Sequence, residues 1–313
     1  MYGYLLRRLI STIPVMLVVA VFIFLMLRLT PSDPAAIIAG DNATTEQIEK
    51  IRGQLGLDRP IVEQFFIWSG RLLRGDLGES FFFKKTVAQL IGERIEPTLS
   101  LAFFTMVFAV LIAVPLGVLA AHRQGSWIDR IVMGFSVLGF SMPSFVVGYL
   151  LIYLFAVWLD WLPVQGYQRI AEGLGGWVRG LVLPSLTLSV IFIALIARMT
   201  RTSMLEVLSE DYIRTARAKG QNERKVLFRH ALRNAAVPIV TVIGLGVALL
   251  IGGVIVTESV FTIPGLGRLT VDAVSARDYP TIQAVILLFS FVYVMINLSV
   301  DMLYTVLDPR IRY

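Results

Sequence analysis

The side chains that usually carry chemistry are sparse in this chain. Its two histidines, His122 and His230, lie far apart, and neither sits in a His-Glu-x-x-His zinc motif. There are no cysteines, so disulfides and thiolate metal sites are excluded. No Gly-x-x-x-x-Gly-Lys-Ser/Thr run exists to cradle ATP phosphates. No Gly-x-Ser-x-Gly elbow exists to present a nucleophilic serine. Carboxylates such as Asp76 and Glu79 lie in a polar segment without histidine or cysteine, where solvation or helix capping is the expected role. Any work this chain does must draw its energy from elsewhere.

One segment has the spacing of two short helices joined by a glycine turn. From Arg198 to Arg233 the chain holds nine Lys/Arg against four acids. Ser209 can cap a helix whose first turn carries Glu210 and Asp211, where the helix dipole favours acids. That helix would run to Lys219 and end at Gly220, which supplies the left-handed conformation of a C-terminal cap. Asn222 would start a second helix through Val226, Leu227, His230 and Ala231 to Asn234. A short helix, a glycine turn and another short helix can fit a partner's groove. A basic loop can also rest on acidic lipid headgroups. Composition leaves these two readings even.

The elements that position this segment follow from hydropathy. The chain is 56% hydrophobic and 16% charged, against roughly 25% charged residues in soluble domains. Six stretches of 18 to 29 residues lack any charged residue or histidine: Leu9–Leu27, Pro97–Ala121, Ile131–Leu159, Gly180–Ala197, Asn234–Thr257 and Tyr279–Val300. A membrane-crossing helix needs about 20 apolar residues. Barrel strands would alternate apolar and polar residues, and these do not. Leu9–Leu27 is longer than a signal-peptide core and lacks a small-residue cleavage site, so it is taken as a retained span. Basic residues at Arg7 and Arg8, at His122–Arg130, through Arg198–Arg233 and at Arg310 and Arg312 all fall on one side of six spans. By the positive-inside rule that side is cytoplasmic. Trp158 and Trp161 are expected where span three leaves the bilayer.

The 31–96 loop, with ten acids and eight bases, carries helix signals. Thr44 or Thr45 can cap a helix through Ile48, Ile51 and Leu55 that ends at Gly56. Pro60 suits the first turn of a second helix with Phe65, Trp68 and Leu72 on one face. Gly75-Asp76-Leu77-Gly78 is a turn, and a third short helix is expected from Thr86 to Ile95. Inside the spans, Pro115 and Pro143 should kink their helices. Gly244, Ala248 and Gly252 form a small-residue stripe suited to close helix contact. Asp301 and Asn297 are polar residues within the last span. The position of Asp301 near the inner end favours a structural contact to Arg310. Few other ionisable groups lie in the spans, which disfavours a proton relay.

The 198–238 segment resembles the docking loop of the membrane subunits of ATP-binding-cassette importers. That motif is Glu-Ala-Ala, three residues, Gly, nine residues, Ile-x-Leu-Pro. Alignment on Gly220 puts Arg214, Thr215 and Ala216 at the triplet and His230, Leu232 and Arg233 at the distal end; Ala216, Gly220 and Leu232 match. The departures resemble the dipeptide, oligopeptide and nickel permease branch, where Asp-Tyr-Ile-Arg-Thr-Ala-Arg-Ala-Lys-Gly is typical. Tyr4–Leu9, Gly53–Pro60, Gly75–Gly78, Leu183–Ser185, Pro264–Arg268, Arg277–Pro280 and Asp308–Arg312 resemble the same branch in the same order.

The resemblance implies an all-α integral membrane protein with six transmembrane helices and the type I ABC importer transmembrane-domain fold. The expected organisation is a cytoplasmic N-terminus and first span (1–30), a periplasmic helical cap loop (31–96) and a five-helix permease core (97–313) with a coupling loop at 203–234. It implies a bacterial inner-membrane, multi-pass protein with both termini cytoplasmic, not an enzyme and without a cofactor of its own. ATP and Mg would be bound by partner subunits. The implied partners are a second homologous permease subunit, two ATP-binding-cassette ATPase subunits, a periplasmic solute-binding protein and membrane lipid; nucleic acid is not among them. Asp211, Arg214, Thr215, Ala216, Lys219, Gly220 and Leu232 would couple to the ATPase. Glu258, Phe261, Pro264, Gly265, Gly267 and Arg268 would form a scoop-like periplasmic segment facing the binding protein. The implied cargo is di- or oligopeptides, with glutathione or nickel as the alternative. A stand-alone channel or secondary transporter is the contrasting class.

Overall fold

The computed structural model describes residues 2–28, 35–36, 44–54 and 56–307. In chain order the elements are α1 (Tyr2–Arg28), α2 (Thr45–Gln54), α3 (Ile61–Leu73), β1 (Glu79–Ser80), β2 (Lys85–Thr86), α4 (Val87–His122), α5 (Trp127–Ser141) and α6 (Ser144–Leu151). α6 continues as a π-helical turn, Ile152–Trp158. Then come α7 (Leu174–Leu208), α8 (Asp211–Ala218), a short helical segment at 223–234, α9 (Ala236–Val260), α10 (Leu266–Ser275) and α11 (Tyr279–Leu307). The chain divides into two units, one of residues 1–95 and 268–294, the other of 96–267 and 295–313.

Within the first unit, the two outer-loop helices form for the expected reasons. Thr44 Oγ1 accepts from the Gln47 N–H at 3.3 Å while Gln47 Oε1 accepts from the Thr44 N–H at 2.9 Å. This reciprocal cap starts α2, and Gly56, at φ +66°, follows its end. Leu55 lies outside the described residues. Pro60 stands at the N-cap of α3, not inside its first turn. Gly75 and Gly78 both take positive φ in the expected turn. An antiparallel two-residue hairpin follows, pairing Glu79 with Thr86 and Ser80 with Lys85. Ser80 Oγ donates to the Asp278 carboxylate, which Thr281 Oγ1 also reaches at 2.7 Å. The expected separate helix from Thr86 to Ile95 is instead the first part of α4, which runs for 36 residues through Pro97 and Pro115. A proline inside a helix removes one donor, and here the remaining ladder carries the helix past both.

Within the second unit α7 is central; 67% of its apolar stretch is buried. Its Leu181, Leu183, Leu188, Phe192 and Ile196 pack with Leu101 and Ala113 of α4, Leu250 and Val254 of α9, and Ile152 and Ala156 after α6. Close approach depends on glycine. A Cβ on Gly117 of α4 would lie 2.7 Å from the Ala197 carbonyl oxygen of α7. The expected stripe on α9 is only partly an interface. A Cβ on Gly244 would overlap Val300 and Ala248 is buried, but Gly252 has no neighbour within 4 Å. Gly246 and Gly253, facing Phe192 and Leu188, make the remaining close approaches.

Pro143 does more than kink its helix. Met142 takes φ −88°, ψ 129°, the extended conformation favoured before proline, and α5 and the Ser144–Trp158 helix are bent by 108°. Four helices are long and apolar enough to cross a membrane, or five if this bent pair is one span. The six-helix expectation is compatible with that count: the described apolar part of α1, Ile10–Met26, is a shorter apolar helix. Trp158 and Trp161, at the end of the bent pair, are 72% and 62% exposed. Asp301 lies on α11; Arg310, its expected partner, is outside the described residues.

Candidate functional site

The coupling residues lie on α8 and the 223–234 segment, both in the second unit. α7 extends past the expected span end at Ala197 to Leu208, so the basic segment begins as helix and not as loop. Ser209 closes α7, its Oγ donating to the Glu206 carbonyl at 2.7 Å. Glu210, not Ser209, is therefore the N-cap of α8. Asp211 opens the helix, and Thr215 Oγ1 donates back to its carbonyl at 3.0 Å. The Asp211–Arg214 pair, at 3.2 Å, is 93% and 74% exposed on its side chains; such a pair contributes less than about 1 kcal/mol.

α8 is amphipathic on a small scale. Ile213 is fully buried and Ala216 packs beside it, against Val118 and Ala121 of α4, Met204 of α7, and Val226, Leu227 and Ala231. Leu232 packs on the same cluster. Asp211, Tyr212, Arg214, Thr215, Lys219 and Gly220 are exposed. Lys219 is the C-cap of α8. Gly220 follows at φ +73° with nothing within 4 Å of a Cβ, so the demand for glycine is conformational and not steric. The Gln221 N–H returns to the Ala216 carbonyl at 3.2 Å, closing the helix. Asn222 Oδ1 then accepts from the Arg224 N–H at 3.0 Å, the expected cap of the next helix, which widens to a π-turn over Val226–Ala231.

Two polar clusters around this segment were not singled out by sequence. Arg217 of α8 donates to Glu223 at 2.8 and 3.3 Å, and His122 Nδ1, at the end of α4, lies 3.7 Å from the same carboxylate. The Arg217 hydrogen bonds hold the Glu223 carboxyl below the ordinary glutamate range. Asp129, 4% exposed, accepts Arg201 Nε and Nη2 at 2.5 and 2.8 Å and the Gly125 N–H at 2.9 Å. This joins the start of α5 to α7, two residues before the 203–234 segment. Both clusters pair residues dozens of positions apart or across a turn, so no local pattern announces them.

Within the 258–268 segment, residues 261–265 make an irregular turn between α9 and α10. Thr262 takes φ +55°. Phe261 and Ile263 are buried in the main core, and Pro264 is exposed. The turn closes on the fully buried Glu258, whose carbonyl accepts the Ile263 N–H at 2.9 Å. Thr98 Oγ1 of α4 donates to the Glu258 carboxylate at 2.6 Å and accepts the Leu266 N–H at 2.8 Å. A Cβ on Gly265 would collide with that carboxylate, and one on Gly267 would lie 2.6 Å from Ile255 Cα. The two glycines leave room for a buried carboxylate beneath a tight turn. Arg268 stands in the first turn of α10. Thr98 was not singled out; it looks like any threonine in an apolar stretch.

The chain is similar to known proteins in sequence and in fold. Residues 113–313 match the family described as "Binding-protein-dependent transport system inner membrane component". Residues 1–102 match its N-terminal companion, "Binding-prot-dependent transport system membrane comp, N-term". The chain is 56% identical over 310 residues to a probable peptide ABC transporter permease of Sinorhizobium fredii, covering 99% of each chain. It is 47% identical over 313 residues, 100% of both chains, to the glutathione transport system permease GsiC of Escherichia coli K12. The inward-facing MetNI methionine ABC transporter superposes with a TM-score of 0.57 at 19% identity, over 71% of this chain and 97% of that one. The last likeness concerns the fold. The chain belongs to the binding-protein-dependent transport system inner membrane component family, and is the multi-pass permease component of an ABC importer, not an enzyme.

Proposed function

We propose that this chain is the translocation subunit of a di- or oligopeptide importer of a bacterial inner membrane, with both termini cytoplasmic. A second, homologous permease subunit completes the path. Two ATPase subunits, holding ATP and Mg, bind the 203–234 segment, and a periplasmic solute-binding protein docks above, at the Glu258–Arg268 turn. The name of the 56% identical relative supports peptides as cargo. Glutathione, itself a tripeptide, is the second reading, supported by the 47% identical glutathione permease.

The observation that carries the coupling role is the two-sidedness of α8. Ile213 and Ala216 key it into the ends of α4 and α7, while Asp211, Arg214, Thr215 and Lys219 face outward. A push on the outer face is thereby transmitted to two long helices. Gly220 sets the angle at which α8 meets the next helix. A left-handed residue other than glycine costs about 1–2 kcal/mol, enough to shift that angle without unfolding the spans. Replacing Gly220 with valine should leave the complex assembled in the membrane yet separate ATP hydrolysis from uptake. Wild-type uptake per ATP hydrolysed in that variant would sink the coupling role.

A further inference from the structure

Helix α3 carries an apolar surface that the transport reading leaves unused. At about 100° per residue, its side chains fall on three sides. Phe65, Trp68 and Leu72 form one side together with Gln64. There Gln64 is buried and donates to the Leu57 and Arg59 carbonyls. On this side the Phe65 and Trp68 rings lie 5.3 and 5.5 Å from the ring of Phe24 on α1. Glu63 and Arg71 lie on a second side with Ile67, 37% exposed, between them; Ile67 and Arg71 line a cavity there. The third side is Val62, Phe66 and Leu73, which are 65%, 67% and 88% exposed. A helix in water hides a single apolar stripe. The apolar arc of α3 is wider than the protein covers.

What covers the rest follows from the depth of α3. Phe24, 1% exposed, lies four residues before the end of α1 at Arg28, a rise of about 6 Å. α3 is therefore packed beside the last turns of α1. The remaining surface there is apolar and open: Phe22 and Met26 are 65% and 58% exposed, as are Ile13, Leu17 and Val18 further along at 55–67%. The stripe on α3 lies at the level of this surface. Interfacial amphipathic helices sink about 5–10 Å into the headgroup and acyl boundary, which fits that depth. Arg74, the exposed C-cap of α3, supplies a cation at the level of lipid phosphates.

We propose that α3 is an interfacial helix, with Val62, Phe66 and Leu73 sunk in the edge of the lipid leaflet where α1 ends, Arg74 on the phosphates and Glu63 toward water. It fixes the height of the 44–95 segment against the membrane. This chain has no cysteine, so a single introduced cysteine gives one label on it, and the unsubstituted importer labelled in parallel gives the signal from the other subunits. Phe66→Cys, Leu73→Cys and Glu63→Cys are each labelled with an environment-sensitive fluorophore in the intact importer. The complexes are reconstituted in phosphatidylethanolamine–phosphatidylglycerol vesicles, with or without a lipid carrying a shallow nitroxide. Labels at 66 and 73 should lose most of their emission to the nitroxide lipid and resist aqueous iodide; the label at 63 should show the reverse. Uptake by each variant reports that it is folded, and Val62→Cys replaces any that is not. Iodide quenching at 66 and 73 without nitroxide quenching would overturn the proposal in favour of a water-facing surface. Protection from both quenchers would overturn it in favour of a protein partner.

Discussion

Glu258 is a carboxylate with no exposure to solvent, and the residues around it are chosen accordingly. Burying such a group is costly unless hydrogen bonds replace water. Thr98 supplies one at 2.6 Å and is itself oriented by the Leu266 N–H. Leaving a buried group without its hydrogen-bond partner costs about 1–3 kcal/mol. Thr98→Val, equal in shape, should therefore lower the thermal unfolding midpoint in detergent, and Thr98→Ser should restore it. An unchanged midpoint for the valine variant would show that Thr98 only fills space. Gly265→Ala should be worse tolerated than Gly252→Ala, because the first Cβ meets the Glu258 carboxylate and the second meets nothing within 4 Å; equal midpoints would contradict the geometry. At Asp129 the partner is Arg201, and removing one member of a buried pair costs about 3–5 kcal/mol. Asp129→Asn should destabilise the protein strongly, and Asp129→Asn with Arg201→Met should recover part of the loss in a double-mutant cycle. Glu258, Gly265 and Gly267 were marked by the family resemblance of their segment. Thr98, Asp129 and Arg201 were not, because their partners are distant in sequence.

At the scale of elements, the caps were legible and the joins were not. Thr44, Asn222 and Gly220 act where their residue types predict, because capping is a local contest between side chain and backbone. Ser209 was misplaced by one cap: it ends α7, and Glu210 begins α8. The merging of the Thr86–Ile95 helix into α4 was invisible because Pro97 is ordinarily a stop signal. Pro143 and Pro97 have the same local chemistry, yet one breaks its helix by 108° and the other is passed through. The Glu223 junction gives a pH prediction at this scale. The folded-state pKa of Glu223 is depressed by Arg217. Its contribution is therefore present above the unfolded glutamate value, about 4.3, and is lost as pH falls through the lower folded value. The difference in unfolding midpoint between the wild type and Glu223→Gln should be seen at neutral pH and vanish in acid. A difference that grew in acid would refute the sign. The pair is partly exposed, so the effect is small.

At the scale of the whole molecule, the chain is a permease component whose energy source lies outside it. Vesicles holding this chain alone should show no peptide uptake, and uptake should require the second permease, the ATPases and ATP. Transport by the isolated chain would return it to the class of stand-alone channels. The sequence by itself determined the membrane, the helical class, the capped helix pair and the family. Each of these rests on hydropathy, charge or short-range spacing, which a one-dimensional pattern records in full. Only the tertiary structure decided that α7 is the central helix of its unit, that Glu258 is sheltered by Thr98 and two glycines, that Asp129 reaches Arg201, and that α3 keeps one apolar side uncovered. These are matters of which surfaces meet. In a chain that is apolar on nearly every side of every span, the inward side and the lipid side look alike until the helices are packed.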